Sequence, residues 1–109
     1  MERRKMLFVD DCRPAPDGWE LARNLAETRA WVTANGAPDV VSLDHDMGDG
    51  EPTGLDIARW MLEAMALPRL CMVHSANHWG AESIVNFIED TGRMAYRTSA
   101  DKLGYFKKG

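Results

Sequence analysis

Three short apolar runs recur along the chain, and each ends abruptly in polar residues. They predict strands over residues 5–10, 40–43 and 69–74. Continuous apolar runs of this length are typical of strands that are buried on both faces of a parallel sheet. The polar ends are Asp10-Asp11, Asp44-His45-Asp46 and His74-Ser75-Ala76-Asn77. Because the carboxyl ends of parallel strands meet at one edge of a sheet, we expect these side chains to form one site.

The segment from Trp19 to Asn35 allows two interpretations. It could be a single helix with one apolar face. Alternatively, residues 19–23 form a short edge strand and Asn24 caps a helix over 25–35, with Glu27 completing a capping box. We favour the second interpretation. Gly36 is then expected to end the helix.

Two more helices and a last strand follow the central run. Thr53 and Asp56 form a second capping box, which opens a helix to about Met65. The residues expected to be buried by that helix are Leu55, Ile57, Ala58, Met61, Leu62 and Met65. Residues 77–80 are expected to be a loop before a helix over 81–90, and residues 94–98 an edge strand. Two prolines and a glycine make residues 11–18 a loop. The alternation of strands and helices predicts an α/β sandwich.

Length and charge limit the possible functions. The 109 residues are expected to form one domain, 1–109. With 13 basic and 17 acidic residues, the net charge of −4 argues against an extended nucleic-acid surface, but not against binding one phosphate or one RNA end. No apolar run approaches the roughly 20 residues of a membrane helix. Cys12 and Cys71 fit no metal spacing, and no apolar signal region precedes them, so a cytoplasmic protein with reduced thiols is expected.

Four carboxylates are expected at the polar edge: Asp10, Asp11, Asp44 and Asp46. Like charges that lie so close must be neutralised, either by a divalent cation such as Mg²⁺ or Mn²⁺ or by a shared proton. A single aspartate at a strand end is adequately explained as a cap of the following loop. Two acidic strand ends beside a histidine strand end favour a functional site.

His45 and His74 are the candidates for proton transfer, because each lies at the end of a predicted strand. The alternative for either is a structural brace bonded to a carboxylate. Ser75 and Asn77 lie where a strand gives way to a helix, a position that suits a phosphate. Arg13 is the nearest arginine that could bind phosphate through two hydrogen bonds.

These residues resemble the receiver domains of two-component signalling. Asp10-Asp11 match the receiver's metal-binding acids, Asp44 its phosphoacceptor and Ser75 its hydroxyl switch residue. Two features depart from that pattern. The loop 12–18 stands in place of the first receiver helix, and Tyr96-Arg97-Thr98 stands where the last strand should end in lysine.

The divergent cyclic-phosphate-processing receiver domains, which are predicted to act in RNA repair and biological conflict, are more similar. The resemblance rests on Phe8-Val9-Asp10-Asp11-x-Arg13-Pro14, on Ser42-Leu43-Asp44-His45-Asp46-Met47-Gly48 with Thr53-Gly54-x-Asp56, and on Val73-His74-Ser75-Ala76-Asn77 with Gly80-Ala81. It implies a reduced flavodoxin-like three-layer sandwich with five parallel strands in the order 2-1-3-4-5. It also implies a cyclic nucleotide or an RNA 2′,3′-cyclic phosphate as substrate.

For a cyclic phosphodiester substrate, Asp44, His45 and His74 are the expected catalytic residues, because opening the ring needs one group to deprotonate water and another to protonate the ribose oxygen. His45, between two carboxylates, is expected to be the general acid and His74 the general base, while Arg13, Ser75 and Asn77 hold the phosphate oxygens. Two other functions stay open. The chain could be a receiver-like signalling module with Asp44 as phosphoacceptor, or a nucleotide sensor that does not hydrolyse its ligand.

Overall fold

The computed structural model describes residues 4–104 and contains five strands and four helices. The strands are β1 (Met6–Val9), β2 (Glu20–Ala22), β3 (Val40–Leu43), β4 (Leu70–Val73) and β5 (Met94–Arg97), and the helices are α1 (Leu25–Asn35), α2 (Gly54–Glu63), α3 (His78–Asp90) and α4 (Ala100–Leu103). The sheet has the order β2-β1-β3-β4-β5, and all neighbouring strands are parallel. This confirms the predicted fold and strand order.

The register of the central strands brings the polar residues together. Val9 pairs with Leu43, and Leu43 pairs with Val73, so β1, β3 and β4 end level with one another. The ladder continues one step further, because the backbone N–H of Asp44 donates to Val9 and that of His74 donates to Leu43. The first polar residue after each strand therefore lies at the same edge of the sheet.

The second interpretation of residues 19–35 is confirmed, with one correction. Asn24 caps α1 by accepting a hydrogen bond from the Glu27 N–H at 2.8 Å. The Glu27 carboxylate accepts from the N–H of Arg23, at 2.8 Å, and not from Asn24 as predicted. Asn24 is fully extended, and the glutamate side chain reaches past it to the preceding residue. Gly36 ends the helix, as predicted, at φ +81°.

The predicted capping box of Thr53 and Asp56 is confirmed at the start of α2. The predicted end of that helix, at about Met65, was wrong. It stops at Glu63, and Met65 is 87% exposed with φ +58°, a left-handed conformation. The chain leaves the helix before Met65 and leads to β4 through Ala66 and Leu67, which are buried. Apolar residues therefore continue past the end of the helix, which is why the pattern predicted a longer one.

The predicted start of α3, at residue 81, was also wrong. Residues 77–80 were expected to be a loop, but His78 begins the helix and Asn77 is its cap, accepting from the Gly80 N–H at 2.9 Å. Asparagine is a strong cap, and its bond to the Gly80 N–H lets the helix begin before the predicted residue 81. The helix α4 follows Ser99, in a segment for which the sequence predicted nothing.

The two faces of the sheet are covered unequally. Helices α1, α2 and α3 pack on one face, around Ile57, Met61, Ile84 and Ile88. On the other face, the buried side chains of Met6, Phe8 and Val40 pack with Trp19 and Leu103. No helix forms between residues 11 and 18, which confirms that a loop replaces the first helix of a receiver. Among the helices of residues 4–104, none has the length and apolarity to cross a membrane.

Candidate active site

The carboxylate of Asp10, directly after β1, is fully buried and hydrogen-bonded through both oxygens. Oδ1 accepts from the backbone N–H groups of Cys12 and Arg13, each at 2.9 Å. Oδ2 accepts from His74 Nε2 at 3.0 Å and from the Arg13 guanidinium at 3.3 Å. Burial raises the pKa of Asp10, but the hydrogen bonds outweigh burial and leave the pKa below its usual value. Asp10 is therefore a charged anchor whose acceptor positions are all occupied.

His74 lies between Asp10 and Ser42, and its side chain is completely buried. Nδ1 is 2.7 Å from the Ser42 hydroxyl, and the ring stacks on Phe8 with centroids 4.3 Å apart. Burial lowers the pKa of His74 to about 4. At neutral pH the ring is thus uncharged, with Nε2–H donating to Asp10 and Nδ1 accepting from Ser42.

This geometry corrects the expected role of His74. A general base needs a free ring nitrogen within reach of a water molecule. Both nitrogens of His74 are engaged inside the protein, and no part of the ring is exposed. Of the two sequence interpretations, the structural brace bonded to a carboxylate describes His74 better than the catalytic base.

Asp44, directly after β3, is buried and stands beside Asp10. Its Oδ1 accepts from the N–H of His45 at 2.8 Å, and the Ser75 hydroxyl lies nearby. Burial raises the pKa of Asp44, and the negative charge of Asp10 raises it further; together these outweigh the groups that lower the pKa, which are the Ser75 hydroxyl, the His45 N–H and the Arg13 guanidinium. A carboxylate with a raised pKa is the better proton acceptor.

His45 is held in place from two sides. Its Nδ1 lies 2.8 Å from Asp46 Oδ1, and the hydrogen bonds from His45 and Asn77 lower the pKa of Asp46. The ring lies against Gly80 in the first turn of α3, where a Cβ would come within 2.3 Å of the imidazole Cγ. The His45 side chain is 20% exposed, so it combines a fixed orientation with access to solvent.

The Asn77 side chain was expected to bind phosphate, but it is already bonded to Asp46 and Gly80. Its amide group donates to both carboxylate oxygens of Asp46, at 3.1 and 3.3 Å, while its amide oxygen accepts from Gly80. Its backbone N–H donates to the Ser75 hydroxyl at 3.1 Å. Asn77 therefore fixes the positions of Asp46 and Ser75.

Arg13 is the cationic side chain at this edge with room for a ligand. One of its guanidinium nitrogens reaches Asp10, and 42% of its side chain is exposed. Arg23 holds the loop beneath it by donating to the carbonyls of Asp10 and Arg13, at 3.2 and 2.7 Å. A cleft of about 300 Å³ opens beside Arg13 and is lined by Arg13, His74, Ser75, Ala76, Thr98, Ser99, Ala100 and Asp101.

The four acids predicted as metal ligands do not form one cluster. Within residues 4–104, ligand atoms come together in two groups: Asp10 with Asp11 and Cys12, and Asp10 with Asp44 and His74. Both groups depend on Asp10, whose oxygens are already bonded to Arg13, His74 and the backbone. Of the acids in these two groups, only Asp11 is exposed, so a divalent cation would bind most readily there.

Sequence reasoning missed Ser42, Gly80 and Arg23. Ser42 had a visible signal, because it is the polar position inside an otherwise apolar strand and lies two residues before Asp44 on the same face. Gly80 belongs to the motif that carries the resemblance, but its contact with His45 could not be predicted, because it joins residues distant in the sequence. Arg23 had no signal for the same reason.

Comparison with solved structures supports the fold. The chain is similar to the N-terminal domain of a response regulator/sensory box/GGDEF three-domain protein from Carboxydothermus hydrogenoformans, with a TM-score of 0.60, 20% identity and coverage of 92% of this chain and 87% of that one. It is also similar to a fusion that carries the yeast Spc42 trimeric coiled coil, amino acids 181–211, with a TM-score of 0.62, 17% identity and coverage of 94% and 73%. These likenesses show a shared fold.

No curated protein matches the sequence. The family model of the cyclic-phosphate processing receiver domain matches residues 5–90, which include both acidic strand ends, His74 and all of α3. The match spans most of the chain, and it agrees with the motifs and the sheet order described above. The chain therefore belongs to the family of cyclic-phosphate processing receiver domains.

Proposed function

We propose that this domain hydrolyses a five-membered cyclic phosphodiester, of the kind that ends a 2′,3′-cyclic RNA or nucleotide, to a phosphate monoester. One observation carries the proposal. Asp44, whose pKa is raised, is followed directly by His45, whose Nδ1 is bonded to the charged Asp46. Asp44 and His45 are adjacent in the chain, so a carboxylate with a raised pKa and an imidazole oriented by a carboxylate can serve as base and acid in one reaction.

Asp44 acts as the general base. A water molecule attacks the phosphorus atom while Asp44 accepts one of its protons. Burial and the neighbouring charge of Asp10 make the Asp44 carboxylate a stronger base than an exposed aspartate. The His45 N–H fixes the direction of the carboxylate by donating to Oδ1 at 2.8 Å, and Ser75, which lies near Asp44, lines the cleft beside Arg13.

His45 acts as the general acid. As the new P–O bond forms, the bond from phosphorus to one ribose oxygen breaks, and the protonated ring of His45 delivers a proton to that oxygen. Asp46 fixes the ring through Nδ1 and leaves Nε2 for the substrate. The product carries one added water molecule, and solvent exchange returns the proton from Asp44 to His45.

Arg13 binds the phosphate oxygens. Its guanidinium has donors beyond the one that bonds to Asp10, and two parallel hydrogen bonds to a phosphate suit its planar shape. His74 acts as a positioning residue: it keeps Asp10 charged and buried, and Asp10 in turn raises the pKa of Asp44. No step uses a divalent cation.

Substituting His45 tests this assignment. His45→Gln should lower turnover of a nucleoside 2′,3′-cyclic phosphate by about 10²–10⁴-fold, the usual cost of a lost general acid. His78→Gln is the matched control, since His78 is an exposed histidine bonded to Arg97. Product formation is followed by mass spectrometry, and unfolding curves check that both variants fold. Parent-like turnover by His45→Gln would rule out the assigned role.

A phosphoacceptor function is the second candidate. It is favoured by the position of the Ser75 hydroxyl near Asp44 at the end of β3. Against it, β5 ends in Arg97, where a receiver has a lysine. The Arg97 guanidinium bonds to His78 at 2.8 Å and lies 3.7 Å from Glu82. Incubation with acetyl phosphate and Mg²⁺ should leave the intact mass unchanged. A gain of one phosphoryl group, lost in Asp44→Asn, would favour this second candidate.

A further inference from the structure

A second cleft adjoins the first and shares Arg13, Ala100 and Asp101 with it. We propose that this second cleft binds the nucleoside part of the substrate while the cyclic phosphate lies on the other side of Arg13; the inference rests on the proposed function. The cleft is about 360 Å³ and is lined by Arg13, Pro14, Ala15, Pro16, Asp17, Ala100, Asp101 and Gly104. Such a volume lies at the lower end of the range for small-ligand sites.

The two walls of this cleft are fixed to each other. The loop 11–18 forms one wall and α4 the other. Trp19 connects them, because its backbone N–H donates to Pro16 at 3.0 Å and its indole N–H donates to Leu103 at 3.2 Å. Ala15 and Ala100 pack on the same buried cluster as Trp19. Two prolines limit the backbone further, so the cleft is formed before a ligand binds.

The chemistry of the lining suits a nucleoside. Prolines, alanines and a glycine give apolar walls for the flat face of a base or the carbon side of a ribose. Asp17 and Asp101 supply carboxylates, which accept hydrogen bonds from ribose hydroxyl or base amino groups and repel phosphate. Arg13, at the boundary, attracts phosphate. The charges therefore set the orientation of a ligand that spans both clefts.

Gly104 allows the second cleft to be filled without changing the first. It lines only the second cleft and has helical backbone angles, φ −62° and ψ −20°. Within residues 4–104, an added Cβ would meet only the Asp101 carbonyl, at an ordinary 3.6 Å. Gly104→Leu should therefore fold normally and occupy part of the nucleoside cleft, and Gly104→Ala is the matched control.

The test compares a nucleoside 2′,3′-cyclic phosphate with glycerol 1,2-cyclic phosphate, which has the same reacting ring but neither ribose nor base. Gly104→Leu should lower kcat/KM for the nucleoside substrate by about tenfold or more, mainly through KM, because a filled pocket loses uniform binding. It should leave the glycerol substrate unchanged, and Gly104→Ala should change neither. Asp17→Asn should raise KM several-fold for the nucleoside substrate alone.

Two results would overturn the inference. One is an equal effect of Gly104→Leu on both substrates, and the other is no effect on either. If the parent protein hydrolyses neither substrate, the proposed function fails, and calorimetry with a nucleoside 3′-monophosphate then decides the inference. Binding that Gly104→Leu abolishes and Gly104→Ala retains would support the cleft, whereas equal binding by all three proteins, or no binding by the parent, would exclude it.

Discussion

At the residue scale, the two histidines show why residue type alone does not assign a role. Both follow apolar strands, yet His74 is buried between Ser42 and Asp10, while His45 keeps an exposed edge. The sequence identified both as candidates but could not separate them. Their environments depend on the contact between Asp10 and His74, which are 64 residues apart, and on the face of the sheet to which each ring turns.

The stability of the protein should depend on pH through His74. The folded state holds the pKa of His74 at about 4, against 6.5 for the exposed ring, so between these values the unfolded chain binds a proton that the folded protein does not. The free energy of unfolding should therefore fall by up to about 3 kcal/mol as the pH is lowered through this window. Urea denaturation at several pH values measures the effect.

His74→Gln is the control for that measurement, because glutamine does not titrate. The difference between the parent and the variant isolates His74 from Asp44, whose raised pKa acts with the opposite sign near the bottom of the same window. If the variant cannot be purified folded, NMR titration of the His74 ring in the parent gives its pKa directly. A parent ring that titrates near 6.5 would show that His74 is not buried as described.

At the element scale, strands and caps were predictable and helix ends were less so. The capping pairs at Asn24 and Thr53 are local in sequence, and both helices begin where predicted. Helix α2 ended early because Met65 adopts a left-handed conformation, which the apolar periodicity does not reveal. Helix α3 began early because Asn77 caps it, and Gly80 in the first turn had looked like a loop residue.

Gly80 should be required for activity because α3 packs closely against His45. A Cβ at this position would lie 2.3 Å from the imidazole Cγ, so Gly80→Ala must displace the ring or the helix. We expect a loss of turnover of about tenfold or more, since misplaced catalytic groups are costly, and a stability cost of about 1–3 kcal/mol. Kinetic assays and denaturant unfolding measure the two effects.

Gly104→Ala is again the matched control, because its new Cβ makes only an ordinary contact. Its stability should stay within about 0.5 kcal/mol of the parent. Parent-like turnover in folded Gly80→Ala would mean that the orientation of His45 does not limit the reaction.

At the scale of the whole molecule, the strand order was predictable because the motifs at the strand ends resemble those of receiver domains, and the structure has the order that this resemblance implies. The two clefts beside Arg13 do not follow from it. They depend on the packing of the loop 11–18 against α4, and the sequence predicted no structure after Ser99. The loop that replaces a receiver's first helix therefore forms one wall of a cleft.

Divalent cations should bind through Asp11, the exposed acid beside Asp10. Millimolar Mg²⁺ or Mn²⁺ held there would raise the melting temperature by mass action. Asp11→Asn should abolish that rise, while Asp49→Asn, in an exposed loop, should retain it. Thermal unfolding with and without metal measures the shift. A rise that persists in Asp11→Asn would contradict this location, and no rise in the parent would exclude the cation.

Hydrolysis in ¹⁸O-labelled water tests the central claim most directly. The parent protein, incubated with a nucleoside 2′,3′-cyclic phosphate, should release a nucleoside monophosphate that carries one labelled oxygen on phosphorus, because water attacks the phosphorus and Asp44 accepts its proton. Asparagine has a similar shape but no basic carboxylate, so Asp44→Asn should form labelled product at least about 10²-fold more slowly. Mass spectrometry of the products reads the label. Unchanged substrate with the folded parent protein, or labelled product formed at the parent rate by Asp44→Asn, would contradict the proposed hydrolysis at this site.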